Sequence, residues 1–211
     1  MRDHRKVFNL YKTIQAIHYL ASRFNGQSPY MKILKLLYFA DRYHLRNYGI
    51  TITGDEYKAM KYGSLGSQTA NVVKENEAYF LNLEQDDLEY ARRYLELDGY
   101  DVRAKNACEY EEIAPSEREA LDFVLTRFGE FSQFELADIT HDYPEWKKLS
   151  ESIQSGEVKV VDEDMVDFFS DPDLSESPFI SKFLGGIDPF ADDPEVVKEI
   201  RDFIVAAKSD P

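Results

Sequence analysis

The sequence predicts a mainly α-helical protein with a small antiparallel β-sheet, an α+β fold, and three observations carry that expectation. Apolar residues recur at three- and four-residue intervals through residues 7–48 and again through 116–149, the period of helices with one buried face. Stretches that favour extended backbone are short and confined to residues 50–62, 101–113 and 158–161. Glycine, alone or as Asn-Gly, closes most of the periodic segments.

Val7, Leu10, Tyr11, Ile14, Ile17, His18, Ala21 and Phe24 form one wide apolar stripe, and Asn25-Gly26 ends that helix. Pro29 precedes a second helix over about Tyr30 to Tyr48, with Gly49 as its terminator. Ile33, Leu36, Leu37, Ala40 and His44 mark one face, and Leu34, Tyr38, Asp41, Leu45 and Tyr48 the next. A helix apolar around so much of its circumference belongs at the centre of a core. Ile50 to Thr53 favours extended backbone, Gly54-Asp55 is a turn, and the alternation from Tyr57 to Tyr62 predicts a strand. Gly63 to Gly66 reads as a loop into a helix from Ser67 to about Asn76, and another helix runs from Asp86 or Asp87 to Leu97. Asp101 to Ile113 holds one or two strands. Ser116 to Glu119 and Ser132 to Glu135 have capping-box spacing, each opening a helix, and Pro144 starts a third that carries Trp146 and Leu149. Val158 to Val161 is a strand, and Pro194 to Ala206 is helical.

Charge divides the chain. Residues 1–80 contain 12 Lys/Arg and 6 Asp/Glu, whereas the remainder has 13 and 34. Such a gradient lets the first part attract an acidic partner, or lets basic helices pack beside acidic ones in one molecule. From Asp162 to Glu199 twelve acids face two lysines, and Pro172, Pro178, Pro189 and Pro194 interrupt the run, so loop-like or conditionally ordered segments are expected. The expected organisation is a helical domain at 1–161 and an acidic, proline-interrupted extension with a terminal helix at 162–211. No run of about 18 apolar residues suggests a membrane span. The N-terminus lacks the apolar run of a secretion signal, and Cys108 is the lone cysteine, so a cytoplasmic location is expected.

No constellation for chemistry emerges. His4, His18, His44 and His141 lack zinc spacing, no nucleophile elbow or phosphate loop occurs, and neither metal nor cofactor is expected. Acidic neighbours disfavour a Cys108 thiolate. A hydrolase using Asp41, His44 and His141 is the enzymatic alternative. Residues 115–155 resemble a DNA-reading three-helix unit, but four basic residues against nine acidic ones make a poor phosphate binder, so direct nucleic-acid binding is not expected. Asp41 and His141 also have plain structural readings, as a buried carboxylate bonded to a tyrosine or loop N–H and as a hydrogen-bonded hinge.

Two separated blocks carry a family resemblance. The first is Lys35-Leu36-Leu37-Tyr38-Phe39-Ala40-Asp41-Arg42, continuing through Thr53-Gly54-Asp55 to Ala59-Met60-Lys61-Tyr62-Gly63. The second is Leu121-Asp122, Phe128-Gly129, Ser132, Glu135-Leu136, Thr140-His141 and Trp146. Together they resemble the Panacea domain of SocA-like antitoxins, with Ser64-Leu65-Gly66-Ser67 standing where that family carries prolines. The resemblance implies a non-enzymatic antitoxin that binds a co-encoded toxin protein and, in the SocA-like subset, delivers it to a ClpXP-type protease. The same domain occurs in phage-associated proteins, so a protein-binding regulator or counter-defence factor is the alternative. The candidate partner-binding residues are Tyr38, Arg42, Lys61, Tyr62, Gly63 and Ser64, with His141 and Trp146 as neighbours or supports, and Asp41 and Thr140 as structural motif residues.

Overall fold

A computed structural model describes residues 8–74, 79 and 82–209. Val7 and the expected helix end at Asn76 lie outside the described residues. The first helix, α1 (Leu10–Ser22), is capped by the Asn9 side chain, which accepts the Lys12 N–H at 3.0 Å. A short strand, β1 (Gln27–Pro29), leads into α2 (Tyr30–Tyr48). Pro29 and Gly49 bound α2 where the sequence placed its ends. Gly49 takes the left-handed φ of +77° that favours glycine, and its N–H bonds to the Leu45 carbonyl. Thirteen residues of α2 are buried, polar as well as apolar, so it is the central helix.

Two small antiparallel sheets flank it. One holds β1, β5 (Asp101–Ala104) and β4 (Leu95–Asp98) in the order β1-β5-β4, with Val102 opposite both Ser28 and Leu97. The helix expected to reach Leu97 is α4 (Gln85–Tyr94), which stops three residues earlier. Leu95 and Leu97 instead alternate in a hairpin that turns at Gly99, and cross-strand pairing overrides the helical reading. The other sheet is ordered β3 (Leu65–Gly66), β2 (Tyr57–Met60), β6 (Val160–Asp162), with Ala59 opposite Val161. Gly66 leads directly into α3 (Ser67–Val73). Residues 50–53, expected to be extended, join no sheet: Asp41 accepts the Ile52 and Thr53 N–H groups, and the Thr53 carbonyl accepts the Asn9 N–H.

The second helical group is α5 (Pro115–Phe128), α6 (Gln133–Thr140), α7 (Pro144–Lys147) and α8 (Ser150–Gln154). At α6 the reciprocal cap forms as expected: Ser132 Oγ accepts the Glu135 N–H, and the Glu135 carboxylate accepts the Ser132 N–H. At α5 the expected Ser116 box does not form. Pro115 opens the helix one residue earlier, and Glu117 reaches back to the Ala114 N–H at 2.7 Å, while the alanine has no side-chain acceptor to return the bond. Ser116 Oγ lies 3.1 Å from His44 Nε2 instead.

The acidic segment is more ordered than its charge suggested. It makes 3₁₀ turns at Met165–Phe169 and Leu174–Glu176, then α9 (Pro178–Leu184) and α10 (Pro194–Ser209). Phe168, Phe169, Ile180 and Phe190 enter the same core as α2, and the Phe190 ring stacks within 6 Å of Phe39 and Phe128. Apolar burial at these few positions offsets the repulsion and backbone entropy that the acid count alone implied. Among the described residues, no helix is long and apolar enough to cross a membrane.

Candidate partner-binding site

The two sequence blocks meet in space. Position 42 of α2 projects a guanidinium into the core, where Arg42 Nη1 donates to Glu145 Oε1 of α7 at 2.6 Å, both side chains being wholly buried. The Tyr38 hydroxyl, one helical turn back, donates to the same carboxylate oxygen. Arg42 Nη2 donates to the Ser170 carbonyl at 2.7 Å, and its guanidinium lies 4.4 Å from the Tyr143 ring centroid. Burial holds the Glu145 carboxyl above its usual range, with Arg42 and Tyr38 acting in the opposite direction.

A second polar group lies one turn earlier on α2. Lys35 Nζ donates to the Ser64 carbonyl at 2.6 Å, and the Ser64 hydroxyl donates to Glu163, just after β6. Burial lowers Lys35 to about 7, partly offset by the nearby Glu163 charge. Burial raises Glu163 to about 8, and the Glu145 carboxylate pushes in the same direction. Gly63, at φ +81°, is where the chain passes between α2 and α6: a Cβ there would sit 1.9 Å from Thr140 Oγ1 and 3.0 Å from Lys35 Nζ. Glycine at 63 and threonine at 140 therefore fix the turn against the helices.

Above this floor the chain is exposed. Tyr62 is 59% exposed, and Lys61 is exposed with its ammonium 5.8 Å from the Tyr62 ring. The turn is held from below by Trp146, whose indole N–H donates to the Met60 carbonyl at 2.9 Å. Trp146 in turn stacks on His141 with ring centroids 3.9 Å apart. Burial, followed by the Lys35 charge, lowers His141 to about 4, so the ring stays neutral and packs as an aromatic.

The predicted residues thus fall into two layers. Lys61 and Tyr62 face solvent. Tyr38, Arg42, Ser64 and Trp146 are buried and Gly63 is enclosed, so they shape the turn from inside and do not touch a partner in this conformation. Arg42 in particular is an internal cation and not a surface charge. Asp41 matches its structural reading: it accepts the Ile52 and Thr53 N–H groups at 2.6 and 3.2 Å and the Thr53 and Tyr57 hydroxyls. Burial raises it to about 6, and those four donors oppose the rise.

Four residues of the arrangement were not singled out from the sequence: Lys35, Arg46, Glu145 and Glu163. Arg46 donates to Asp192 and Asp171 at 2.9 and 2.8 Å and to the Phe168 and Phe190 carbonyls at 3.1 and 3.0 Å, clasping the acidic segment. The available signal was the presence of Lys35, Arg42 and Arg46 on a helix whose apolar faces already marked it as central. With Lys12–Glu117 and, across β2 and β6, Lys58–Asp162, these pairs show basic residues of the first half packing beside acidic segments of the same molecule.

Among the described residues, no three His, Cys, Asp or Glu side chains are placed to hold a metal ion. The polar cluster is sealed, so its groups support shape, and the Lys61–Tyr62 turn is what the arrangement presents outward. Residues 33–147, the span from α2 through α7, match the family model described as Antitoxin SocA-like, Panacea domain. No curated protein and no solved structure matches the chain.

Proposed function

Since the chain belongs to the SocA-like, Panacea-domain family of antitoxins, we propose that it neutralises one cognate toxin protein in the cytoplasm by stoichiometric binding, without turnover. The observation that supports this most directly is that both family blocks converge on one rigidly backed turn, with Lys61 and Tyr62 outward and the sealed cluster of Tyr38, Arg42, Glu145 and Trp146 behind. A solvent-facing aromatic on a preorganised turn is the kind of anchor that loses little entropy on docking.

The direct test expresses the adjacent reading frame inducibly, with and without this chain. Growth arrest relieved only by co-expression, together with recovery of a complex, supports the reading; a harmless neighbour or absence of a complex counts against it. Replacing Lys61 by Glu and Tyr62 by Ala should weaken the complex about tenfold or more while leaving the thermal midpoint within about a degree, because both side chains are exposed. Unchanged affinity moves the contact surface elsewhere.

We further propose that the complex delivers the toxin to a ClpXP-type protease. In cells lacking that protease the toxin should persist although the complex forms. Equal toxin lifetimes in both strains would leave sequestration alone as the mechanism.

A further inference from the structure

The Lys61–Tyr62 turn continues directly from β2, and the strand beside β2 has a free edge. In the order β3-β2-β6, strand β6 closes the sheet on one side. The two registers fix where each backbone group points. The Ser67 N–H donates to the Glu56 carbonyl, in line with the pairing of Lys58 with Leu65. The Glu163 N–H donates to the Tyr57 carbonyl, in line with the pairing of Ala59 with Val161. Bonded and non-bonded pairs alternate along an antiparallel ladder, so Val161 and Glu163 direct their backbone groups to β2, while those of Val160 and Asp162 point away from the sheet. None of these outward N–H and C=O groups has a partner among the described residues. Val160 is 48% exposed, and Lys159 and Asp162 are exposed as well, so the edge is open to solvent. The remaining edges suit pairing less: β3 is two residues long and runs straight into α3, β1 ends on Pro29, which has no N–H, and Leu97 of β4 is already engaged.

The side chains add a preference to this edge. Val161 packs inward with Ala59, Trp146 and Ile153, which backs the strand. Val160 lies opposite Met60 on the outer face. At that end of the ladder Lys61 follows Met60 and Lys159 precedes Val160, and both are exposed. Neither is in an ion pair among the described residues, whereas Lys58, further along the same ladder, is held by Asp162. Like charges set across a strand pair repel, and a carboxylate from outside offsets that repulsion. A row of donors and acceptors at strand spacing is complementary to the backbone of another extended chain. A second copy is the poorer occupant, because it brings a net charge of −15 against −15.

We propose that β6 is a strand-addition edge: an extended, acid-ended segment of the toxin pairs antiparallel with it, exchanging backbone bonds at Val160 and Asp162, with a β-branched or aromatic residue beside Val160 and its carboxylates at Lys159 and Lys61. The sheet then grows to β3-β2-β6-partner, and the turn and the edge form one continuous contact surface backed by Trp146. That the segment belongs to a toxin rests on the function proposed above. That the edge takes an extended acidic strand does not, and it is tested without the toxin.

The full-length chain is titrated with a blocked peptide of alternating valine and threonine that ends in two aspartates, followed by calorimetry and amide hydrogen exchange. In the free chain the amides of residues 161 and 163 should exchange slowly and those of 160 and 162 fast; with peptide bound, all should be slow. Changing the two aspartates to lysines should weaken binding at least tenfold. N-methylation of alternate peptide residues should abolish binding in one phase and spare it in the other, because one edge of the added strand faces β6. V160P, which removes an outward donor and no bond to β2, should weaken the peptide about tenfold, whereas V160A, which keeps that donor, should change it less than about threefold. The N-methylated peptides read the same contact in the unaltered chain should V160P fold poorly. No binding at millimolar concentration, unchanged exchange at 160 and 162, or equal affinity for the lysine-ended peptide would each overturn the proposal. Slow exchange at both positions in a free chain that sediments as a dimer would overturn it too, and would assign the edge to a second copy. Neutralisation is read separately, by growth: a chain that binds the peptide but rescues no growth keeps the edge and loses the toxin, and one that rescues growth without binding the peptide does the reverse.

Discussion

Arg42 and Glu145 form a wholly buried ion pair, 2.6 Å between Nη1 and Oε1, that joins the middle of the central helix to the short helix carrying Trp146. The pair links the two family blocks, 103 residues apart in the chain, and the Tyr38 hydroxyl shares the same carboxylate oxygen. Losing one partner leaves the other charge desolvated and unpaired, and that asymmetry gives the pair its consequences.

Arg42→Met should therefore destabilise the protein by about 3–5 kcal/mol in urea unfolding. Arg42→Met combined with Glu145→Leu should recover part of that loss, because no lone charge remains. A double variant as weak as the sum of the single changes would show the two residues to be energetically independent.

Gly63→Ala tests the turn. The φ of +81° disfavours any side chain, and the added Cβ would overlap Thr140 Oγ1. A loss of about 2–3 kcal/mol is expected from strain and overlap together. Pairing the change with Thr140→Ala should return the overlap part only, leaving about 1 kcal/mol from the backbone.

Lys35 and Glu163 give stability opposite slopes with pH. Glu163 is raised from 4.5 to about 8, so the folded state holds a proton that the unfolded chain releases. Its contribution is fully present below about pH 4.5 and is lost as pH rises toward 8. Lys35 is lowered from 10.5 to about 7, so the unfolded chain binds the extra proton, and stability is lost as pH falls from about 10.5 toward 7. Glu163→Gln should flatten the decline between pH 5 and 8, and Lys35→Met the rise between pH 7 and 10. Unfolding midpoints measured across that range at constant salt check both, and an unaltered profile in either variant removes that group's assignment.

Asp41→Ala should cost about 3 kcal/mol, since the Ile52 and Thr53 N–H groups lose their shared acceptor inside the protein. Amide exchange at 52 and 53, in the loop after α2, should accelerate before exchange within α2 itself. Uniform acceleration would mean that the loop and helix open together.

Arg46→Met probes the clasp on the acidic segment. Four acceptors, Asp171, Asp192 and the Phe168 and Phe190 carbonyls, lose their donor at once. Exchange and proteolysis should increase through residues 165–209, with the α1–α5 region unchanged at first. Equal protection in both halves would make the segment an inseparable part of the cooperative unit.

How much of this was legible beforehand depended on whether the signal was local. The span of α2 could be read because Pro29 and Gly49 punctuate an unbroken apolar period. The Ser132 cap was legible for the same reason, whereas the Ser116 cap failed because Pro115 starts the helix one residue sooner. Leu95 and Leu97 fitted a helical continuation, and only their partners in β5 make them a strand. Tyr38, Arg42, Gly63, His141 and Trp146 lie around one region of the fold, and the depth of most of them was not visible in the sequence. Glu145 and Glu163 looked like two more acids in an acidic half, since nothing local marks a carboxylate whose partner is more than ninety residues away.

The protein also carries its own optical reporter. Trp146 is the one tryptophan of the chain, it is nearly buried, and its indole is tied to the backbone of Met60, one residue before Lys61. Its emission therefore originates under the turn, and any molecule that grips or shifts that turn alters the colour or yield of the light. Engagement of a partner can be followed in the unlabelled chain, in real time.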